Sequence, residues 1–357
     1  MSISFEIVSP APRDAWLRVL SSDPAATIYQ TPMWFDAARK ACRAVDVSRL
    51  YTLPDGRQLI FPMLRKIPMP GLALDHAYPY GLGAGGLLAS GGLRPSDVKL
   101  VLADLLKTRS SSIWIKANHD RSEIWEKGLV PEAKILWRRV EVVDLEGGYE
   151  RVRQRFHSSA RRAIRKAERS DVSVECDTSG RCVSTFYDLY LSWTKRRAEE
   201  TGLPAWLTTR LARRRQPLRN FKIIAAALGE NCRIWVARYR GEAVASIITL
   251  VFGQHAVYWS GYSDKALAGP IRANNLLQGL AIQDACEAGC RYYSMGESGG
   301  VGPLIQFKQT FGATPRRTIG VRLERVPLTA IDTLRSRTVT NAAKTIQGAR
   351  RILPQRD

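Results

Sequence analysis

Between Tyr258 and Gly312 the chain runs through an ordered series of local patterns. An aromatic strand, Tyr258-Trp-Ser-Gly-Tyr262, leads into a polar Gly-Pro loop and then an apolar helical stretch. A second strand follows, Tyr292-Tyr-Ser-Met-Gly296, and finally Phe307-Lys308-Gln-Thr-Phe311-Gly312. A strand, a loop, a helix opening onto that loop and a further strand make a βαβ-like unit. Such a unit aims backbone N–H groups and the positive end of a helix dipole at whatever lies above the loop. The closing Phe-Lys-x-x-Phe-Gly segment puts one cation between two aromatic residues shortly after the strand ends. Together these features suit an anionic or carbonyl-bearing group.

A chain of 357 residues is too long for one ordinary core and suits two domains. With 45% apolar and 24% charged residues the composition is globular, not disordered. No apolar run approaches the roughly 18 residues a spanning helix needs, and the N-terminus lacks a basic region leading into an apolar one, so a cytoplasmic protein is expected. The six cysteines form no Cys-x-x-Cys pair and no His or Cys pair has metal-ligand spacing; reduced, mostly buried thiols and no metal follow.

The net charge of +21 is unevenly spread. Residues 1–150 hold 19 Lys/Arg against 17 Asp/Glu, whereas residues 151–357 hold 35 against 16. So lopsided an excess points to a polyanionic partner or an anionic surface for the second half.

The first half reads as a short strand at Phe5–Val8, a helix near Arg13–Ser21, and a helix after Pro32 with Thr31 as N-cap and Pro32 at N1. Arg49–Leu53 and Gln58–Leu64 read as a hairpin around Pro54-Asp-Gly56. Pro68 to Gly92 reads as a long loop, followed by a helix over Ser96–Arg109 and a strand over Ile113–Lys116. In the second half a single basic helix is expected over Tyr149–Arg169 and another helix over Val183–Thr201. Strands follow at Ile223–Ala227, Ile234–Tyr239, Ala243–Phe252 and His255–Tyr262. The recurrence of helix, hairpin and helix about 185 residues apart suggests a duplicated α/β module. The predicted division is 1–145, 146–327 and a basic amphipathic tail, 328–357, for which packing on the domain is preferred to a membrane-surface role.

The 55-residue run resembles the C-terminal half of the Fem-type aminoacyltransferases, within the GNAT acyltransferase superfamily. The matching positions are Ala273, Asn274, Leu276, Leu277, Ala281, Gly289, Tyr292, Gly296, Phe307, Lys308, Phe311 and Gly312, and Thr31-Pro-Met-Trp34 is similar to an early family motif. The resemblance implies an α/β (α+β) fold of tandem GNAT-like domains, each a mixed twisted sheet flanked by helices. It implies acyl transfer, with either aminoacyl-tRNA or acyl-CoA as donor and no permanently bound cofactor. One departure is that Gly85–Gly92 lacks the acidic residue several Fem enzymes place there, so no general base carries over.

Lys308 is the foremost catalytic candidate, since an ammonium beside aromatic rings can stabilise negative charge on a tetrahedral intermediate; the alternative is a surface lysine lying over Phe307 and Phe311. Glu297, just past the strand end, is a candidate base or amine anchor. Arg272 and Asn274 open the helix where relatives in the superfamily cradle a pyrophosphate, so an anion contact there stands beside plain capping. Arg161, Arg162, Arg165 and Lys166 belong to a run of eight cations and one acid between Arg151 and Arg169, and Arg forks suit phosphate oxygens. Tyr262 and Phe307 are candidate substrate contacts. His76 could be a base oriented by Asp75, although a plain loop histidine is preferred.

The expected activity is transfer of an aminoacyl or acyl group, directly in a ternary complex, to an amine or hydroxyl of a cell-envelope precursor or similar phosphate-bearing metabolite. Partners expected are that acceptor, tRNA and a peripheral contact with the inner membrane surface. The alternative is an acyl-CoA-dependent N- or O-acyltransferase of polysaccharide or small-molecule biosynthesis, and a non-catalytic polyanion- or membrane-binding protein on the same fold is the alternative of a different class.

Overall fold

A computed structural model describes residues 5–77 and 82–327. The tail expected to be amphipathic lies outside the described residues. The first half opens with β1 (Glu6–Val8), α1 (Arg13–Ser22) and α2 (Pro32–Cys42). The start of α2 is set locally: the Thr31 hydroxyl accepts from the Trp34 amide at 3.2 Å, and Pro32 occupies the first turn, where its missing N–H costs nothing. Strands β2 (Val45–Asp46), β3 (Arg49–Thr52), β4 (Gln58–Phe61), β5 (Leu64–Met69), β6 (Leu72–His76) and β7 (Leu88–Ala89) follow. The first half closes with α3 (Pro95–Lys107), β8 (Ser112–Lys116), α4 (Ser122–Lys127) and β9 (Lys134–Asp144). Where a long loop was expected after Pro68, β5 and β6 form a hairpin turning at Gly71, whose φ of +78° favours glycine.

The second half contains α5 (Gly148–Arg155), α6 (Ser158–Glu168), β10 (Val172–Asp177), α7 (Val183–Thr201), α8 (Ala205–Arg215) and α9 (Leu218–Leu228). Then come β11 (Cys232–Tyr239), β12 (Glu242–Phe252), β13 (His255–Ser263), α10 (Lys265–Ile271), α11 (Ala273–Glu287), β14 (Tyr292–Glu297), α12 (Gly302–Gln309) and β15 (Thr314–Glu324). Two expectations are corrected. The single basic helix is two, because His157 turns extended and caps α6, its ring accepting from the Ser159 amide. The strand expected at Ile223–Ala227 is helix α9, whose buried Phe221, Ile224, Ala225 and Leu228 recur at helical spacing.

The expected βαβ unit is present: β13 and β14 pair in parallel, joined through α11. A second parallel pair, β6 with β8, is joined through α3 in the first half. Eleven strands form one sheet in the order β10-β11-β12-β13-β14-β9-β15-β8-β6-β5-β2, and a smaller sheet runs β1-β3-β4-β7. The halves are thus repeats that exchange their last strands. β9, from the first half, pairs with β14; β15, from the second, pairs with β8; and β9 and β15 run antiparallel against each other.

Alternation along the strands divides the core. On β11, Ile234 and Val236 face the layer of α2, α7 and α9, while Trp235 and Ala237 face α6 and α11. On β15, Ile319, Val321 and Leu323 enter the core of the first half beside Val98, Leu102 and Ile115. The exchanged strand therefore contributes apolar burial to one repeat from the end of the other. Ile319→Ala should lower stability by about 2–5 kcal/mol in urea denaturation. The loss should appear in a single transition; two separated transitions would show that the halves unfold independently.

Candidate active site

Pairing of β13 with β14 extends only from His255–Tyr292 to Val257–Ser294. Beyond that point the strands diverge, and β13 carries a bulge against β12 between the Ile248–Ser260 and Thr249–Tyr258 pairs, at Trp259. A bulge leaves a residue out of the ladder and re-aims the strand. Tyr258 turns into the core, and its ring crosses Gly261, where a Cβ would overlap the Tyr258 hydroxyl and sit 2.8 Å from Ile247. The Tyr-x-x-Gly spacing of the sequence is this close approach. On the opposite face Trp259 meets Trp34 of α2 edge to face at 5.5 Å.

A cleft of about 210 Å³ opens where the strands diverge. Tyr29, Gly83 and Lys116 wall it from the first half, and Trp259, Ser294 and Glu297 from the second. Glu297, at the end of β14, pairs with Lys116 Nζ at 2.6 Å and lies 3.6 Å from Arg138. This carboxylate is shared by cations from the other repeat and remains about one quarter exposed.

Lys308 is neither on the surface nor laid over its neighbouring rings. It is only 2% exposed, and its ammonium donates to the carbonyl oxygens of Gly296 at 2.9 Å and Glu297 at 3.0 Å. The rest of its motif explains this placement. Phe311 stacks edge to face with Phe156 and with half-buried Phe307, both at 5.3 Å, so α12 is anchored on α5. Gly312, at φ +75°, lets the following turn pass against Arg155. Lys308 thereby clamps the end of β14 and fixes where Glu297 leaves the strand. Burial lowers the Lys308 pKa to about 8, against the opposing pull of Glu141 and Glu297.

A cluster that sequence spacing did not reveal lines the same cleft. His119 Nδ1 lies 2.7 Å from Asp120 Oδ1, and His255 Nε2 is 3.8 Å from Asp120 Oδ2. The His255 ring stacks on Tyr292 at 5.6 Å. Burial pushes the His255 pKa down to about 4, so this ring is neutral at physiological pH. Burial works against ionisation of Asp120, but the hydrogen bond with His119 prevails, helped by the positive charge of Arg316, and lowers its pKa. In a neutral His119 ring, a hydrogen bond donated by Nδ1–H to the Asp120 carboxylate would leave Nε2 as the acceptor. Asp120 and His255 are 135 positions apart, so only their adjacency in sequence to His119 and to the β13 strand could have marked them.

The other expected site residues disperse. Arg161 is half-buried and donates to the carbonyls of Gln154 and Phe156 at 2.9 and 2.7 Å, joining α5 to α6. Arg162, Arg165 and Lys166 are exposed on α6. Tyr262 packs among Phe186, Tyr190 and Trp193 on the α7 side, away from the residues lining the cleft. Arg272 is exposed at the joint between α10 and α11, and Asn274 donates to the Ser263 hydroxyl at 2.9 Å. Asp75 is turned to Arg65 and Ser110, on the opposite face of β6 from His76, so it does not orient that ring. His76 itself lies on the strand, half-buried, and desolvation lowers its pKa to about 4.

The depressed Lys308 pKa has a testable consequence. Below about pH 8 the folded protein holds a buried ammonium and bears its full desolvation cost. Between that value and the ordinary lysine value of 10.5, the unfolded chain binds more protons than the folded one, so stability rises with pH. Wild type should gain stability relative to Lys308→Met between pH 8 and 10. Urea midpoints that stay parallel across this range would show that Lys308 does not titrate there.

The family model described as acetyltransferase (GNAT) domain matches residues 154–307. No curated protein matches the sequence significantly. Among solved structures, FemX is similar over 88% of this chain and 96% of its own, with 14% identity and a TM-score of 0.63. The C-terminal domain of a putative lysylphosphatidylglycerol synthetase from Agrobacterium fabrum matches over 91% and 95%, with 12% identity and a TM-score of 0.51. A tandem GNAT protein from the clavulanic acid biosynthesis pathway matches over 91% and 99%, with 13% identity and a TM-score of 0.52. At such identities the likeness to these structures is one of fold. Residues 154–307 thus match the GNAT acetyltransferase domain model, and the fold is the one shared with FemX and the tandem GNAT protein.

Proposed function

We propose that the protein is an acyltransferase that moves an aminoacyl or acyl group onto an amine or hydroxyl of a cell-envelope precursor or similar phosphate-bearing metabolite. The observation that carries this reading is the divergence of β13 and β14 over a cleft holding Glu297 and Lys116. The donor carbonyl lies along the edge of β13 beyond Val257, where backbone N–H groups released from pairing with β14 can polarise it. The acceptor amine or hydroxyl sits at Glu297, which takes its proton as the new bond to the carbonyl carbon forms. Collapse of the tetrahedral intermediate breaks the bond to the donor's oxygen or sulfur, and that atom leaves with the proton that Glu297 took from the acceptor, which regenerates the carboxylate. Lys308 acts one step removed, by holding the β14 end that carries Glu297.

Two features favour aminoacyl-tRNA over acyl-CoA as donor. The second half holds the large basic excess. The stretch at the head of α11 that would have to cradle a pyrophosphate is itself helical, and Asp264 already occupies its first amides, accepting from Ala266 and Leu267 at 2.8 and 3.1 Å. A carboxylate there repels a phosphate. A cell-envelope acceptor is favoured by the likeness to the putative lysylphosphatidylglycerol synthetase domain, whose name denotes an aminoacylated phospholipid.

A second assignment of the base rests on His119, whose Nε2 is left as an acceptor by the bond to Asp120. Glu297→Gln should reduce kcat by about 10²–10⁴ with little effect on folding, the range general-base removal produces. Near-normal turnover in Glu297→Gln together with a loss of that size in His119→Asn would transfer the role to His119.

The donor is decided by salt. With charged tRNA, apparent affinity should fall steeply between about 50 and 200 mM salt, with a slope set by the number of phosphates contacted. A flat response with efficient turnover of an acyl-CoA would replace the tRNA assignment by acyl-CoA.

A further inference from the structure

Helix α8 is attached to the body by one face. Ala212 is its only buried residue, and its carbonyl accepts from the Tyr190 hydroxyl at 3.2 Å. Successive residues advance by about 100° around a helix, which places Trp206, Leu207, Arg210, Leu211, Arg213 and Arg214 on the side facing away from Ala212. Trp206 is 68% exposed and Leu211 55%. Leu203, just before the helix, and Trp193 of α7 are also exposed. Between Glu200 and Glu230 the chain has six Lys/Arg and no acid. An open groove of about 350 Å³ runs beside Trp206, bordered by Lys195, Arg210 and Arg213.

The outer face of α8 interleaves apolar groups with guanidinium groups, and this mixture discriminates among occupants. A second copy of the same face would set arginine against arginine. A nucleic acid would use the arginines and could stack on Trp206, but it gives Leu203, Leu207 and Leu211 nothing apolar to bury against. An anionic bilayer surface satisfies both sets. Apolar side chains enter at the boundary between headgroups and acyl chains, tryptophan favours that depth, and the cations meet lipid phosphates.

We propose that α8 docks the protein on an anionic phospholipid surface, with Trp206, Leu207 and Leu211 inserted and Arg210, Arg213 and Arg214 on the phosphates. The groove beside Trp206 takes one lipid headgroup phosphate. This docking would hold a lipid-borne acceptor beside the protein. It stands on α8 and not on the cleft, so its failure would leave the acyl-transfer reading in place.

The test is co-sedimentation of the full chain with vesicles of equal parts phosphatidylglycerol and phosphatidylcholine, and with vesicles of phosphatidylcholine alone. Wild type should bind the anionic vesicles and not the neutral ones. Trp206→Ser/Leu211→Ser should weaken vesicle binding about tenfold, since anchoring strength scales with buried apolar area. The same variant should keep its retention on immobilised tRNA. Arg210→Gln/Arg214→Gln gives an independent check and should also weaken vesicle binding. The proposal is overturned if wild type ignores anionic vesicles, if either variant binds them as wild type does, or if the Trp/Leu variant loses tRNA and vesicle binding equally. That last result would make α8 a nucleic-acid surface.

Discussion

The antiparallel pairing of β9 with β15 is the interaction on which the rest of the structure depends. Each strand belongs by sequence to one repeat and by pairing to the other, so the two small sheets become one. Backbone N–H and C=O groups of a terminal strand must be paired when buried, and here each repeat supplies the partner the other lacks. The exchange also fixes the distance between the repeats. It brings Lys116 at the end of β8 and Arg138 on β9 to Glu297 on β14, so the charged floor of the cleft combines β14, its neighbour β9 and, across β15, β8.

The cleft owes its opening to a shortage of pairing. β13 and β14 share three register positions, then diverge, and the bulge at Trp259 turns β13 away. Beyond Ser294 the end of β14 keeps only its pairing with β9, whose register shifts before Glu297–Val140, so the carbonyls of Gly296 and Glu297 need further support. Lys308 supplies that support from α12, and the two hydrogen bonds offset only part of the cost of burying an ammonium, which is why its pKa is lowered. The aromatic residues around it work at a different task, fastening α12 to α5. The Phe-Lys-x-x-Phe-Gly motif is thus a device for positioning the β14 end. Its link to the chemistry runs through Glu297.

Much of this was legible in the sequence wherever the signal was local. Thr31 and Pro32 announce α2 because capping involves residues three apart. The order of aromatic strand, helix and strand from Tyr258 onward announces a parallel pair because a short helical crossover leaves little else. Helix α9 was misread because Phe221-Lys-Ile-Ile-Ala-Ala-Ala is apolar enough for a buried strand, and only its packing face shows a helical period. Strand β9 escaped because Trp137-Arg-Arg139 and Glu141 interrupt any alternation, even though Val140, Val142 and Val143 are buried.

The candidate site divides along the same line. Local patterns specify which segments with a strong period are helices or strands, where the positive charge accumulates, and that Glu297 and Lys308 lie near the end of a parallel strand. Only the tertiary structure decided that Lys308 is a buried clamp, that Arg161 closes a helix junction, and that Tyr262 belongs to an aromatic core. It alone brought His119 and Asp120 against His255, and Lys116 against Glu297. The reason is physical. Caps, turns and periodicity are set by neighbours within a few residues, whereas the partner of a charged or titratable group is set by strand order, and here strand order follows from an exchange between repeats that no local pattern records.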